Sequence, residues 1–386
     1  MRVTEKLIGL SLIALLSGCS TLDAFNPFSK KPDPKTLPAK LVEIKSPIPV
    51  RTVWKYSVGK AGGYLFSPAL AGDSVYVAGG DGVIARLDAA TGHEQWRVKT
   101  GADLSAGVGS DGKVVVVGGD KGNVMAYDAS TGKQLWKEQG SSEILSSPVV
   151  SADVVVVRGV DNRIVGYDPQ TGAKKWTVQR ATPSLTLREA PGMVINGTNV
   201  YVAQPGGKLL ALTLAAGLPR WETVVGEPRG ATELERVTDI AGMPVVFENE
   251  ICAVSFQGKV GCYDLATGAP RWSKEQSSNV GVGVDQRFVF TADVNGNIQA
   301  YARDGGQSIW KNDKVTLRSP ATPVSYGRVV AFGDYEGYVH FLSREDGAII
   351  GRTSTDGSAI ETQPLVAGTN LIFQTQSGTV TALAVD

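Results

Sequence analysis

The stretch Asp128-Ala129-Ser130-Thr131-Gly132-Lys133-Gln134-Leu135-Trp136 decides the fold. Its first five residues spell a tight turn, because a carboxylate at the head accepts backbone N–H groups in an Asx-type turn and the glycine takes the left-handed conformation. Four residues after the glycine a tryptophan presents a large flat ring. The unit recurs. Tryptophans stand at 54, 96, 136, 176, 221, 272 and 310, with successive gaps of 42, 40, 40, 45, 51 and 38 residues. From Trp96 onward each lies four residues after a glycine, namely Gly92, Gly132, Gly172, Gly217, Gly268 and Gly306. An eighth occurrence keeps Gly347 and has Gly351 in the place of the tryptophan. Asp88, Asp128, Asp168 and Asp264 head four of the turns, and Thr213, Ala302 and Ser343 take that position elsewhere. A period near forty residues marks a repeat protein.

Between the turns lie residues 114–117, 154–157 and 200–203, β-branched or apolar runs too short for helices. Glycine-rich hairpins follow them, as in Gly119-Asp120-Lys121-Gly122-Asn123, and then a further strand such as residues 124–128. Each unit therefore supplies about four antiparallel strands, which bury both faces only when units stack radially, as in a β-propeller. The chain ends on residues 379–385 with no outer strand after them, whereas residues 52–58 precede any complete unit. The reading predicts an all-β, eight-bladed β-propeller over residues 50–386, built of four-stranded antiparallel blades and closed by the N- and C-terminal strands together.

Composition narrows the function. Of 386 residues, 42% are hydrophobic and 20% charged, a balance that folds rather than staying disordered. Lys plus Arg number 38, as do Asp plus Glu, so no overall field draws in nucleic acid, and no nucleic-acid partner is expected. Two histidines, His93 and His340, and three cysteines, Cys19, Cys252 and Cys262, are too few and too scattered for a zinc site.

The N-terminus reads as a signal. Arg2 and Lys6 flank a basic start, and residues 7–16 are apolar, about half the length needed to span a bilayer. The run ends in Leu16-Ser17-Gly18-Cys19, which resembles the lipobox of bacterial lipoproteins. That resemblance implies removal of residues 1–18, acylation of Cys19 and, with Ser20 rather than Asp after it, an outer-membrane protein facing the periplasm. Residues 19–49 carry Pro27, Pro32, Pro34, Pro38, Pro47 and Pro49 among Lys30, Lys31, Lys35, Lys40 and Lys45, a composition expected to form an extended tether.

The repeat resembles that of pyrroloquinoline-quinone dehydrogenases, also eight-bladed, so catalysis has to be weighed. A vicinal Cys-Cys pair over the quinone is absent, the later cysteines being ten residues apart. Asp293-Val294-Asn295-Gly296-Asn297 lacks the spaced acidic series of a calcium loop and occupies the hairpin phase of its repeat. Residues 107–112 match a dinucleotide fingerprint in form, but a strand follows where a helix is required. His93 and His340 have no Gly-x-Ser-x-Gly elbow to serve. No cofactor, no metal and no catalytic residue is expected. A lipid-anchored eight-bladed propeller of this kind resembles the BamB family of outer-membrane assembly lipoproteins. The resemblance implies a noncatalytic scaffold that binds the periplasmic domains of BamA and assists unfolded β-barrel proteins into the outer membrane. The alternatives are a quinone-dependent dehydrogenase subunit and a propeller that binds periplasmic glycan or peptide in its central funnel.

Two segments stand out against the period. The gaps of 45 and 51 residues contain Ser184-Leu185-Thr186-Leu187-Arg188 and Glu235-Arg236-Val237-Thr238-Asp239, each between an outer strand and the next inner strand. Leucines beside arginine on such a connection compose an interface anchor, the alternative being that both leucines face the core and Arg188 is merely solvated. The BamB resemblance implies that Leu185, Leu187, Arg188 and Asp239 contact BamA; Ala241 stands where that family often has a second acidic residue. A turn at Phe256-Gln257-Gly258 pairs Ser255 with Lys259 and sets Cys252 opposite Cys262, so a disulfide is expected in an oxidising compartment, with two buried thiols as the alternative.

Overall fold

A computed structural model describes residues 36–45, 47–188 and 191–385; the signal segment, Cys19 and most of the predicted tether lie outside them. Among the described residues, thirty-two strands form eight four-stranded antiparallel sheets in the order of the repeats, the eight blades of a propeller. The second blade shows the plan: an inner strand Leu104–Ser110, two middle strands Val114–Gly119 and Asn123–Asp128, and an outer strand Gln134–Gln139. Its first middle strand, Val-Val-Val-Val-Gly-Gly, is buried at every position because blades cover both of its faces. The outer strand, by contrast, buries only Trp136 fully. Except for Leu104–Ser110 and Ile240–Phe247 the inner strands are short, and Pro68, Pro148, Pro323 and Pro364 stand immediately ahead of four of them, which blunts the edges that border the central channel.

The repeat motif stitches neighbouring blades. Asp128 Oδ1 accepts the backbone N–H of Thr131 at 2.8 Å, and the Ser130 and Thr131 hydroxyls hold this carboxyl below its ordinary pKa. Each tryptophan lies flat on the turn glycine of the following blade: a Cβ on Gly217 would stand 2.6 Å from Trp176 Cε3, so only glycine admits the ring. The Trp176 indole N–H donates to Leu214 O at 2.9 Å. The same pair of contacts joins Trp54, Trp96, Trp136, Trp221, Trp272 and Trp310 to Gly92, Gly132, Gly172, Gly268, Gly306 and Gly347.

The eighth joint differs because the ring closes there. Strands Leu365–Ala367, Asn370–Gln374 and Thr379–Val385 are completed by Val50–Ser57 from the other end of the chain, in register from Val50↔Val385 to Ser57↔Thr379. The closing blade thus has chain ends where the other blades have a turn, and a tryptophan at 351 would have no turn glycine to lie on. Gly351 instead makes room for Ile48, whose Cγ1 is 2.9 Å from where a Cβ would sit, and Ile48 N–H donates to Ile350 O at 2.8 Å. Upstream, Ala39 N–H donates to Thr316 O at 2.9 Å and Arg352 Nη2 donates to Val42 O at 2.6 Å. Residues 39–45 and 47–49, which the prolines and lysines assign to the tether, therefore lie against the propeller, from the connection that leads into the seventh blade to that blade's outer strand. Leu41, Ile44 and Ile48 are partly buried, Ile48 against the core between the seventh and closing blades, and the backbone finds partners despite the prolines.

Cys252 and Cys262 are cross-strand partners on Glu250–Ser255 and Lys259–Asp264, with Cα atoms 4.1 Å apart and the sulfurs bonded. Both are buried beside Val254, Val260 and Trp272. Alkylation of the unfolded, unreduced protein is expected to leave both cysteines unmodified, and both being labelled would reject the bridge. Reduction is expected to lower stability by roughly 2 to 3 kcal/mol, the chain-entropy value for so short a loop, as read from denaturant midpoints with and without reductant.

Candidate partner-binding site

The two long connections meet. The first leaves the third blade after Lys174–Gln179 and enters the fourth at Met193–Asn196; the second leaves the fourth after Pro219–Val224 and enters the fifth at Ile240–Phe247. Both run between an outer and the next inner strand, so they emerge on one face of the ring. Ser184 Oγ donates to Glu233 Oε2 at 2.8 Å, and Leu187 N–H donates to Asp239 Oδ2 at 2.6 Å.

Asp239 differs from the expectation that it touches a partner directly. It is 3% exposed, and its other oxygen accepts Gly206 N–H at 2.9 Å. Burial raises its pKa against the pull of those two N–H donors and of nearby Arg158. Arg158 is itself enclosed, its pKa pushed down to about 10 by burial, and it donates to Ala203 O at 2.6 Å and Ser146 Oγ at 3.3 Å. The carboxylate thus serves the fold from inside: it pins the Leu187 backbone to the fourth blade's hairpin and balances a buried guanidinium. Ala241 is buried as well, so an acid there would face the core.

The motif ahead of it is presented outward. Leu185 is 47% exposed, Leu187 half-buried, and the Arg188 side chain 73% exposed. These exposures exclude the reading in which both leucines fill the core. Arg188 Nη2 pairs with Glu143 Oε2, which comes from the connection between the second and third blades. A pocket of about 240 Å³ opens beside Arg188, bounded by Gly63, Tyr64, Leu65, Ser105 and Leu145. Sequence reading missed Glu143 and Arg158, whose roles arise only once the ring brings separate repeats together.

The central channel holds a second cavity. This cavity of about 660 Å³ is lined chiefly by aliphatic and small residues, among them Val108, Val149, Met193, Met243, Val324 and Leu365. One carboxylate, Glu361, and no aromatic or cysteine stand in that lining. Such a wall offers a quinone with calcium neither a set of carboxylate ligands nor a stacking partner, and it offers a glycan no aromatic platform. The residues present do not fit that cofactor.

Comparison with known proteins shows the family. The family model described as "Outer membrane protein assembly factor BamB" matches residues 80–312 and 294–386. The chain is similar to the outer membrane protein assembly factor BamB of Burkholderia pseudomallei, 44% identical over 353 residues that cover 91% of this chain and 92% of that one. Among solved structures, BamB from Moraxella catarrhalis superimposes with a TM-score of 0.80 at 27% identity, over 87% of this chain and 99% of that one. The quinohemoprotein alcohol dehydrogenase of Comamonas testosteroni matches with a TM-score of 0.66 at 14% identity, covering 87% of this chain and 76% of that one, a likeness of fold alone.

Proposed function

The chain belongs to the BamB family of outer membrane protein assembly factors, and from that premise we propose that it binds the periplasmic domains of BamA through the face carrying Leu185, Leu187 and Arg188. It is a noncatalytic component of the outer-membrane β-barrel assembly machinery and is associated with the outer membrane. The observation that carries the BamA assignment is the connection between the third and fourth blades. It holds a leucine and an arginine in solvent while Asp239 fixes its backbone from beneath. Preorganised display of this kind lowers the ordering cost of association. In this reading the scaffold stations BamA, and unfolded barrel substrates meet the machine beside it. The test is titration of the full mature protein with purified BamA periplasmic domains; saturable binding is expected, and its absence overturns the assignment.

Cys19 is the proposed lipid anchor that holds the propeller on the periplasmic side of the outer membrane. The supporting observation is the sequence Leu16-Ser17-Gly18-Cys19 after a short apolar run. Cys19→Ala is expected to release folded protein into the soluble periplasmic fraction, since several acyl chains together make a firm anchor. A mutant that stays with membranes lacking BamA rejects it.

A further inference from the structure

The second long connection does more than hold the first. We infer that Leu234, at its tip, is a further apolar anchor for the partner that Leu185 and Arg188 engage. This inference rests on the proposed binding to BamA and extends it to a residue outside the Ser-Leu-x-Leu-Arg motif. Leu234 is 71% exposed, more than any other large apolar side chain among the described residues. A single exposed leucine is ordinary on a protein surface. Three features set this one apart.

The first is rigidity. Glu235 reaches back to accept the N–H groups of Ala231 at 2.9 Å and Thr232 at 3.0 Å, while its own N–H donates to Thr232 Oγ1 at 3.2 Å. This reciprocal box closes the turn that carries Leu234. Those donors hold the Glu235 carboxyl below its ordinary pKa, so the box persists at neutral pH. On its far side the turn is tied down by buried Val237 and by Gln257 Nε2, which donates to Leu234 O at 3.4 Å. The backbone of this leucine is therefore fixed while its side chain has no place in the core.

The second is adjacency. Ser184 and Glu233 are joined by their 2.8 Å hydrogen bond, and the residues that follow them in the chain are Leu185 and Leu234. One bond thus leaves each exposed leucine one residue beyond a single contact between connections from different blades. The third is length: this connection occupies the longest gap between tryptophans, 51 residues, so the turn is an addition to the repeat rather than part of it. Two leucines on joined connections, with the solvent-facing Arg188 three residues on from Leu185, make an apolar centre with a polar edge, the usual anatomy of a protein-binding patch. The partner's face must offer an apolar depression for both leucines, with an acceptor for the guanidinium beside it.

The test compares single substitutions in the full mature protein, titrated with purified BamA periplasmic domains. Leu234→Ala is expected to weaken binding about tenfold or more, and Leu234→Met to keep it, with melting temperatures unchanged in both. Leu218→Ala is the control, because Leu218 is 62% exposed but lies in an Asp-x-x-Thr-Gly-type turn at the other ends of the strands. It is expected to bind normally. If Leu234→Ala binds like the unaltered protein while Arg188→Glu does not, the anchor is overturned and the proposed partner stands. Equal losses in Leu234→Ala and Leu218→Ala also overturn it, since general stickiness would then explain both. If the unaltered protein shows no binding, the partner assignment fails and the anchor with it.

Discussion

Arg188→Glu is expected to weaken binding to the BamA periplasmic domains about thirtyfold or more while the propeller melts at its usual temperature. In the free protein this side chain is 73% exposed and that of its partner Glu143 13% exposed, and a pair whose cation stands in solvent is worth about 1 kcal/mol. Reversing it removes that pair and sets two carboxylates near each other, a small penalty on the folded state. At the centre of an interface the same change adds repulsion or leaves a partner group unpaired, at a cost of about 2 to 5 kcal/mol, or roughly thirtyfold and upward in affinity. Arg188→Lys should fall between, keeping the charge and losing the planar fork. Thermal unfolding run beside the titration decides: a large fall in melting temperature would assign Arg188 to the fold, and unchanged binding would remove it from the site.

Trp176→Ala should produce the largest loss of stability, about 3 to 5 kcal/mol, measured from denaturant unfolding. The ring is buried, lies on Gly217 and donates to Leu214 O at 2.9 Å. Its removal leaves a cavity at the joint between the third and fourth blades together with a carbonyl that loses its donor. The 180–192 connection springs from this joint, so binding should weaken too, but by less than in Arg188→Glu, because no charge is reversed at the contact. A loss below about 1 kcal/mol would mean that the tryptophan contacts are incidental to how the blades hold together.

The architecture was legible because one nine-residue unit carries both halves of the blade-to-blade contact, the turn glycine and the tryptophan. Its repetition shows the ring even where the head residue is Thr213, Ala302 or Ser343. Closure was legible from strand arithmetic, and residues 50–57 take the place that reading gave to 52–58. The meaning of Gly351 was not: in the chain it looks like decay of a motif, and only the closed ring shows that no turn stands opposite it and that Ile48 fills the space. Asp239 was found by its type, but its role in the fold was not legible, because nothing along the chain reports that N–H groups from Gly206 and Leu187 converge on it. Leu234 escaped notice for a related reason. A leucine among polar residues has no periodic partner, and its exposure follows from a turn closed by Thr232 and Glu235.

The passage of residues 39–45 and 47–49 against the propeller has a mechanical consequence. A ring completed by two chain ends has a seam, here the ladder between residues 50–57 and 379–385, and tension on the chain ahead of Ala39 would open that seam if it reached Val50 directly. It does not. The load falls first on the bonds of Ala39 with Thr316 and Arg318, next on Arg352 holding Val42, and then on Ile48 seated over Gly351 and bonded to Ile350. Forced opening is governed by the slowest barrier along the path, so this stretch acts as a strain relief, in the way a cable clamp spares the solder joint behind it. The seam is shielded from whatever pulls on the chain upstream.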